Sequence, residues 1–117
     1  MTSRTKCAVI AEIAGGHMGK SSRCIQLIEA AGKAAAEAVK FQFYIADELC
    51  TESHGDYGLF KELEFSYDEW LKLFAKSREY NLLIYADIFG EESFLQAQKL
   101  GVDGFKLHSA DLDNSYL

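Results

Sequence analysis

The sequence predicts an α/β fold in which strands and helices alternate along one parallel sheet. Three observations carry this. Four short apolar runs, CAVIAEI (7–13), AVKFQFY (38–44), LLIYAD (82–87) and DGFKLH (103–108), recur along the chain. Between them lie stretches with helical spacing or helix-start signals. Several runs also carry a charged or amide residue in their interior, as strands do when one face is not core. The order β-α-β-α-β-α-β requires parallel pairing through right-handed crossovers.

Each element follows from its residues. Residues 7–13 read as a strand. Ser21 or Ser22 is placed to cap a helix running to about residue 35, with Cys24, Ile25, Leu27, Ile28 and Ala31 on its apolar face. Residues 38–44 form the second strand. The segment 45–65, IADELCTESHGDYGLFKELEF, holds two glycines and several acids and reads as mostly loop with a short helical turn. Ser66 opens a capping box with Glu69, S-x-x-E, and the helix behind it runs to about Tyr80, burying Trp70, Leu71, Phe74 and Leu73. Strand three lies at 82–87, helix three at 91–99 with Gly101 ending it, and strand four at 103–108. The last residues, SADLDNSYL, read as a loop entering another element.

Two segments echo each other: AAAEAVKF (34–41) and LGVDGFKL (100–107) each join a helix end to a strand through a small residue, an acid and an apolar–Lys–apolar core. A repeated βα unit of this kind builds a (β/α)₈ barrel, which takes roughly 250 residues. This chain of 117 residues supplies about half and stops after strand four. A small open sheet, complete in itself, is the alternative. As half a barrel it has an open edge and a half-exposed interior. It is then expected to be inactive alone and to need either the missing C-terminal half or association between copies.

Composition narrows the function. Hydrophobic residues make up 49% and the net charge is −6, which argues against disorder and against a nucleic-acid surface. No apolar stretch approaches the roughly 20 residues that span a bilayer. The N-terminus, MTSRTK, has no apolar region with a cleavage site behind it, so no secretory signal is expected. Cys7, Cys24 and Cys50 are odd in number and widely spaced, as free thiols in a reducing cytoplasm are.

The chemistry sits inside strands. Alternation places Lys40 with Gln42, and Lys106 with His108, on one face, opposite Val39, Phe41, Phe105 and Leu107. Helices cover the apolar face, so the charged face points to the barrel interior near the carboxyl ends of the strands. Buried ammonium groups need anions. Glu12, within VIAEIA, supplies one negative charge, and the second lysine is left wanting a bound carboxylate or phosphate. Ser109 and Gln42 add a hydroxyl and an amide. A structural Glu–Lys–Lys network with water, or lysines reaching out to solvent, is the bland alternative.

The loop AGGHMGKS (14–21) approaches the phosphate-binding pattern G-x-x-x-x-G-K-[ST], with Ala14 in place of the first glycine. A nucleotide site of that kind needs no further lysines inside other strands. It also lacks a clear acidic strand end for Mg²⁺, YAD at 85–87 being a weak substitute.

Taken together, IAEIAGGHMG, EAVKFQFYIADEL and GVDGFKLHSADLDN resemble, in order and spacing, the IAEIGxNHxG, DAVKFQ and GVDAYKIxSGDLxN segments of the sialic acid synthase (N-acetylneuraminate synthase) family. The resemblance covers nearly the whole chain. It implies a (β/α)₈ barrel that condenses phosphoenolpyruvate with an N-acetylated amino sugar to give a nine-carbon sialic-type acid and phosphate. It implies Glu12 as the catalytic glutamate beside the reacting carbons, and Lys40 and Lys106 as ligands of phosphoenolpyruvate. Gln42 and Ser109 flank that site, and His17 serves substrate binding or loop shape. A divalent metal, Mn²⁺ or Mg²⁺, is implied, with its histidines in the second half of the barrel. The chain departs from the family pattern at Gly16 (Asn), Asp87-Ile88 (Thr-Pro, with Phe89 retained), Ala35 (Gly) and Ala110 (Gly). The family threonine is a phosphoenolpyruvate contact, and an ionised Asp87 in its place would repel an anion. Three possibilities stay open: a synthase, a non-catalytic or redirected relative, and an unrelated phosphate- or nucleotide-binding domain.

Overall fold

The computed structural model describes residues 6–117; the N-terminal signal expectation rests largely on residues 1–5, outside them. The elements are β1 (Ile10–Glu12), α1 (Ser21–Lys33), β2 (Ala38–Gln42), α2 (Ala46–Leu49), α3 (Tyr57–Leu63), α4 (Tyr67–Glu79), β3 (Leu83–Asp87), α5 (Glu91–Leu100) and β4 (Gly104–Lys106), followed by a 3₁₀ turn at Ser109–Asp111. The four strands form one parallel sheet in the order β1-β2-β3-β4. Consecutive strands are neighbours throughout, which is how a barrel grows and differs from a doubly wound sheet, whose order reverses.

One face of the sheet is the core. Val39, Phe41, Ile84, Ala86 and Ile88 are fully buried beneath Cys24 and Ile28 of α1 and Trp70, Leu73 and Phe74 of α4. Phe43 stacks on Trp70 with ring centroids 4.1 Å apart and nearly parallel planes. The capping box of α4 forms as expected, with Glu69 N–H donating to Ser66 Oγ at 3.3 Å and Ser66 N–H donating to Glu69 Oε2 at 2.9 Å.

Four expectations need correction. Leu71 is 47% exposed; the buried stripe is Trp70, Leu73, Phe74 and Ser77, and position 71 lies a hundred degrees round the helix from Trp70. The residue that caps α1 is Lys20, without a side-chain bond, and Ser21 is already helical. The strands are shorter than the apolar runs, most of all the edge strands β1 and β4, where one side has no partner to extend the ladder. The segment 45–65 holds two helices rather than a loop. It is fastened by polar bonds: Tyr57 Oη donates to Asp47 at 2.6 Å, Lys61 pairs with Glu64 at 3.2 Å, and Glu64 accepts from Ala46 N–H. Glu48 then caps α5, accepting from Glu92 N–H at 2.6 Å and Ser93 N–H at 3.3 Å.

Candidate active site

Register builds the site in two layers on the face away from the core. Glu12, Lys40, Tyr85 and Gly104 are consecutive partners across the sheet, and one step further toward the carboxyl ends Gln42, Asp87 and Lys106 are partners. In parallel strands, partnered residues share a face. Gly104 is required in its layer, because a Cβ there would stand 2.5 Å from the Tyr85 ring.

Both lysines have protein carboxylates. Lys40 Nζ is 2.7 Å from Glu12 Oε2. Lys106 Nζ donates to Asp87 Oδ2 at 2.9 Å. The expectation that the second lysine lacks a protein anion is therefore wrong: Asp87, one register step across, supplies it. These pairs do not exhaust the ammonium groups, each of which has three donors. The Lys40 side chain is 22% exposed and that of Lys106 48% exposed, whereas Asp87 is 0% exposed. The bond and charge of Asp87, with a smaller contribution from Glu12, raise the Lys106 pKa above its ordinary value, so it stays cationic across the physiological range.

His108 closes the other side of Asp87. Its Nε2 lies 2.8 Å from Asp87 Oδ1, at ion-pair distance but off the line of a hydrogen bond, and both atoms are buried. Its ring stacks on Phe89 at 4.6 Å. Gln42 Oε1 accepts from Tyr44 Oη. Tyr44 lies between the Phe60 and Phe89 rings, at 6.0 and 5.9 Å. Burial, then the charges of Asp87 and Glu12, raise its pKa, which keeps the phenol a donor. Tyr44 was missed by sequence reasoning, although the alternation Lys40-Gln42-Tyr44 pointed to it. Ser109 is exposed at the start of the 3₁₀ turn beyond β4.

The β1–α1 loop is largely bonded to itself. The N–H groups of Ala14, Gly16, Met18, Gly19 and Lys20 bond to Glu12, Ile13, Gly15, His17 and His17 respectively. His17 is buried against Phe65, 4.5 Å between ring centroids, and its Nδ1 accepts from Gly19 N–H at 3.0 Å. These contacts tie His17 into the loop itself. Gly19, at φ +71°, lets the loop lie directly on the Glu62 backbone of α3, where a Cβ would clash at 2.0 Å. Among the described residues, no three of His, Cys, Asp and Glu come together as a metal centre; the histidines that the resemblance implies for the divalent metal belong to the second half of the barrel. No helix of the described residues is long and apolar enough to cross a membrane.

A four-stranded parallel βα sheet with an ionic inner face is the opening half of a βα-barrel protein. Residues 27–117 match the NeuB family, and the chain belongs to that family. It is 31% identical over 121 residues to N-acetylneuraminate-9-phosphate synthase of Drosophila melanogaster, an alignment covering 91% of this chain and 32% of that protein. It is 29% identical over 126 residues to N,N'-diacetyllegionaminic acid synthase of Legionella pneumophila, covering 96% and 35%. Its structure superposes on the crystal structure of N-acetylneuraminic acid (sialic acid) synthetase from Leptospira borgpetersenii, in complex with citrate, with a TM-score of 0.83 and 30% identity, covering 97% of this chain and 42% of that one. The chain spans about a third of the length of the curated relatives it matches. Membership of this family overturns the alternative of an unrelated nucleotide-binding domain.

Proposed function

We propose that this chain forms the first half of the barrel of an enzyme that condenses phosphoenolpyruvate with an N-acetylated amino sugar, giving a nonulosonic acid and inorganic phosphate. The observation that carries it is the pair Lys40 and Lys106 on one inner face, each with donors left over after its carboxylate partner. Support for the product class comes from relatives that make N-acetylneuraminate-9-phosphate and diacetyllegionaminic acid.

In the proposed reaction, C3 of phosphoenolpyruvate bonds to the aldehyde carbon of the open-chain sugar, whose oxygen takes a proton. Water adds at C2 and gives up a proton, and the tetrahedral carbon expels phosphate to leave the keto acid. Lys40 and Lys106 hold the carboxylate and phosphate and stabilise charge on the departing group. The free amide NH₂ of Gln42 and the hydroxyl of exposed Ser109 add neutral donors. Glu12, 42% exposed in its side chain, orients the sugar, relays a proton or holds Lys40 in place. A divalent metal supplies Lewis acidity to the aldehyde when bound; these residues do not hold it.

Asp87 favours a second reading, a non-catalytic relative, because it brings a carboxylate to the phosphoenolpyruvate side of the sheet. The test is phosphate release by the complete protein from phosphoenolpyruvate with N-acetylmannosamine and Mn²⁺. Release that depends on both substrates and disappears in Lys106→Ala is expected. Absence of release with a panel of N-acetylated amino sugars would favour the second reading.

A further inference from the structure

We infer that Asp87 is a positioning residue for the anion site, fixing Lys106 against the ligand rather than competing with the ligand for it. This rests on the reading of the inner face as an anion site and names a role for the residue that most disturbs that reading. Three observations point to it. The Asp87 side chain is wholly buried, so its charge is not presented at the surface of the cleft. Its Oδ2 is held by Lys106 Nζ at 2.9 Å, and His108 Nε2 stands 2.8 Å from its Oδ1, at ion-pair distance but without the geometry of a hydrogen bond. Lys106, in contrast, is half exposed, so two of its three donors remain for a ligand while the third anchors it.

The backbone holds this arrangement rigid. Asp87 C=O accepts from Phe43 N–H at 3.0 Å, and Lys106 C=O accepts from Ile88 N–H at 3.2 Å, so the strand ends that carry acid and base are tied together. His108 is itself pressed on Phe89, and that shuts the carboxylate from solvent. A flexible lysine loses side-chain entropy when it grips an anion. One already held by a buried carboxylate has lost much of it beforehand, which is the benefit of preorganisation. The other charges facing this cluster are Glu12 and Lys40, which pair with each other.

The opposing view, a carboxylate that repels the anion, predicts the reverse sign for one substitution. In the complete protein, Asp87→Asn keeps shape and removes the anchor. Positioning predicts that the KM for phosphoenolpyruvate rises about tenfold, with the KM for the sugar unchanged. It also predicts that Asp87→Asn has no further effect on phosphoenolpyruvate binding, read by titration calorimetry, in a Lys106→Met background, since it acts through that lysine. His108→Gln, which leaves Asp87 paired with Lys106 but opens it to water, raises the same KM by about threefold and serves if Asp87→Asn does not fold. A KM for phosphoenolpyruvate that falls or stays level in Asp87→Asn overturns the inference while leaving the synthase reading intact. If the wild type turns over no substrate, inorganic phosphate binding is measured in the same variants. Phosphate affinity that drops with Asp87→Asn upholds the positioning role although the synthase reading has failed. Phosphate affinity indifferent to Asp87 and His108 rejects it.

Discussion

At the scale of single residues, the inner face was legible because strands alternate strictly. Glu12, Lys40, Gln42 and Lys106 fall on one side once the runs are taken as strands, and the register confirms it. The partner of Lys106 was not legible. It lies 19 residues away along the chain, and only the β3–β4 register brings it to 2.9 Å. His17 shows the limit differently: sequence left two roles open and did not foresee that the ring is buried. Its pKa is lowered from 6.5 by desolvation, so the folded protein prefers the neutral ring. A depressed histidine pKa contributes stability in full above the unfolded value and loses it as pH falls below about 6.5. Protonation also removes the Nδ1 acceptor of Gly19 N–H. Thermal denaturation should therefore show a smaller fall in Tm between about pH 7.5 and about pH 5 in His17→Gln than in the wild type. Equal falls would contradict the role of His17.

Among the elements, helices with a start signal and a contiguous apolar stripe were legible: α4 begins where its capping box begins, and α5 ends at Gly101 in a left-handed conformation. Helices α2 and α3 were not, because they are short and carry Gly58 inside α3. What holds them is a set of side-chain bonds between positions far apart, such as Glu64 to Ala46 and Glu48 to α5. The junction from α1 to β2 bears a local strain. Ala35 sits at φ +58° and is exposed, where its Cβ is penalised. Ala35→Gly should stabilise the protein by about 1 kcal/mol in chemical denaturation. No change, or a loss, would mean that the backbone there is not left-handed in solution.

For the whole molecule, the half-barrel architecture followed from the βα repeat, whereas the extent of the edges needed coordinates. Among the described residues β1 and β4 each pair on one side only, and Val9, Ile10, Phe105 and Leu107 stay exposed beside them. The Cα radius of gyration, 15.2 Å, exceeds the about 13 Å of a compact chain of this length, as an open half-shell should. The strand-borne charges Glu12, Lys40, Asp87 and Lys106 share one face of this sheet, where a ligand would meet Lys40 and Lys106 together. Direct binding of phosphoenolpyruvate to the complete protein by titration calorimetry, comparing the wild type with Lys40→Met and Lys106→Met, measures that meeting. The predicted result is saturable binding that weakens by about tenfold or more in each variant. Binding that is unaltered in both, or lost in neither while a change at residues 15–21 removes it, would contradict the account.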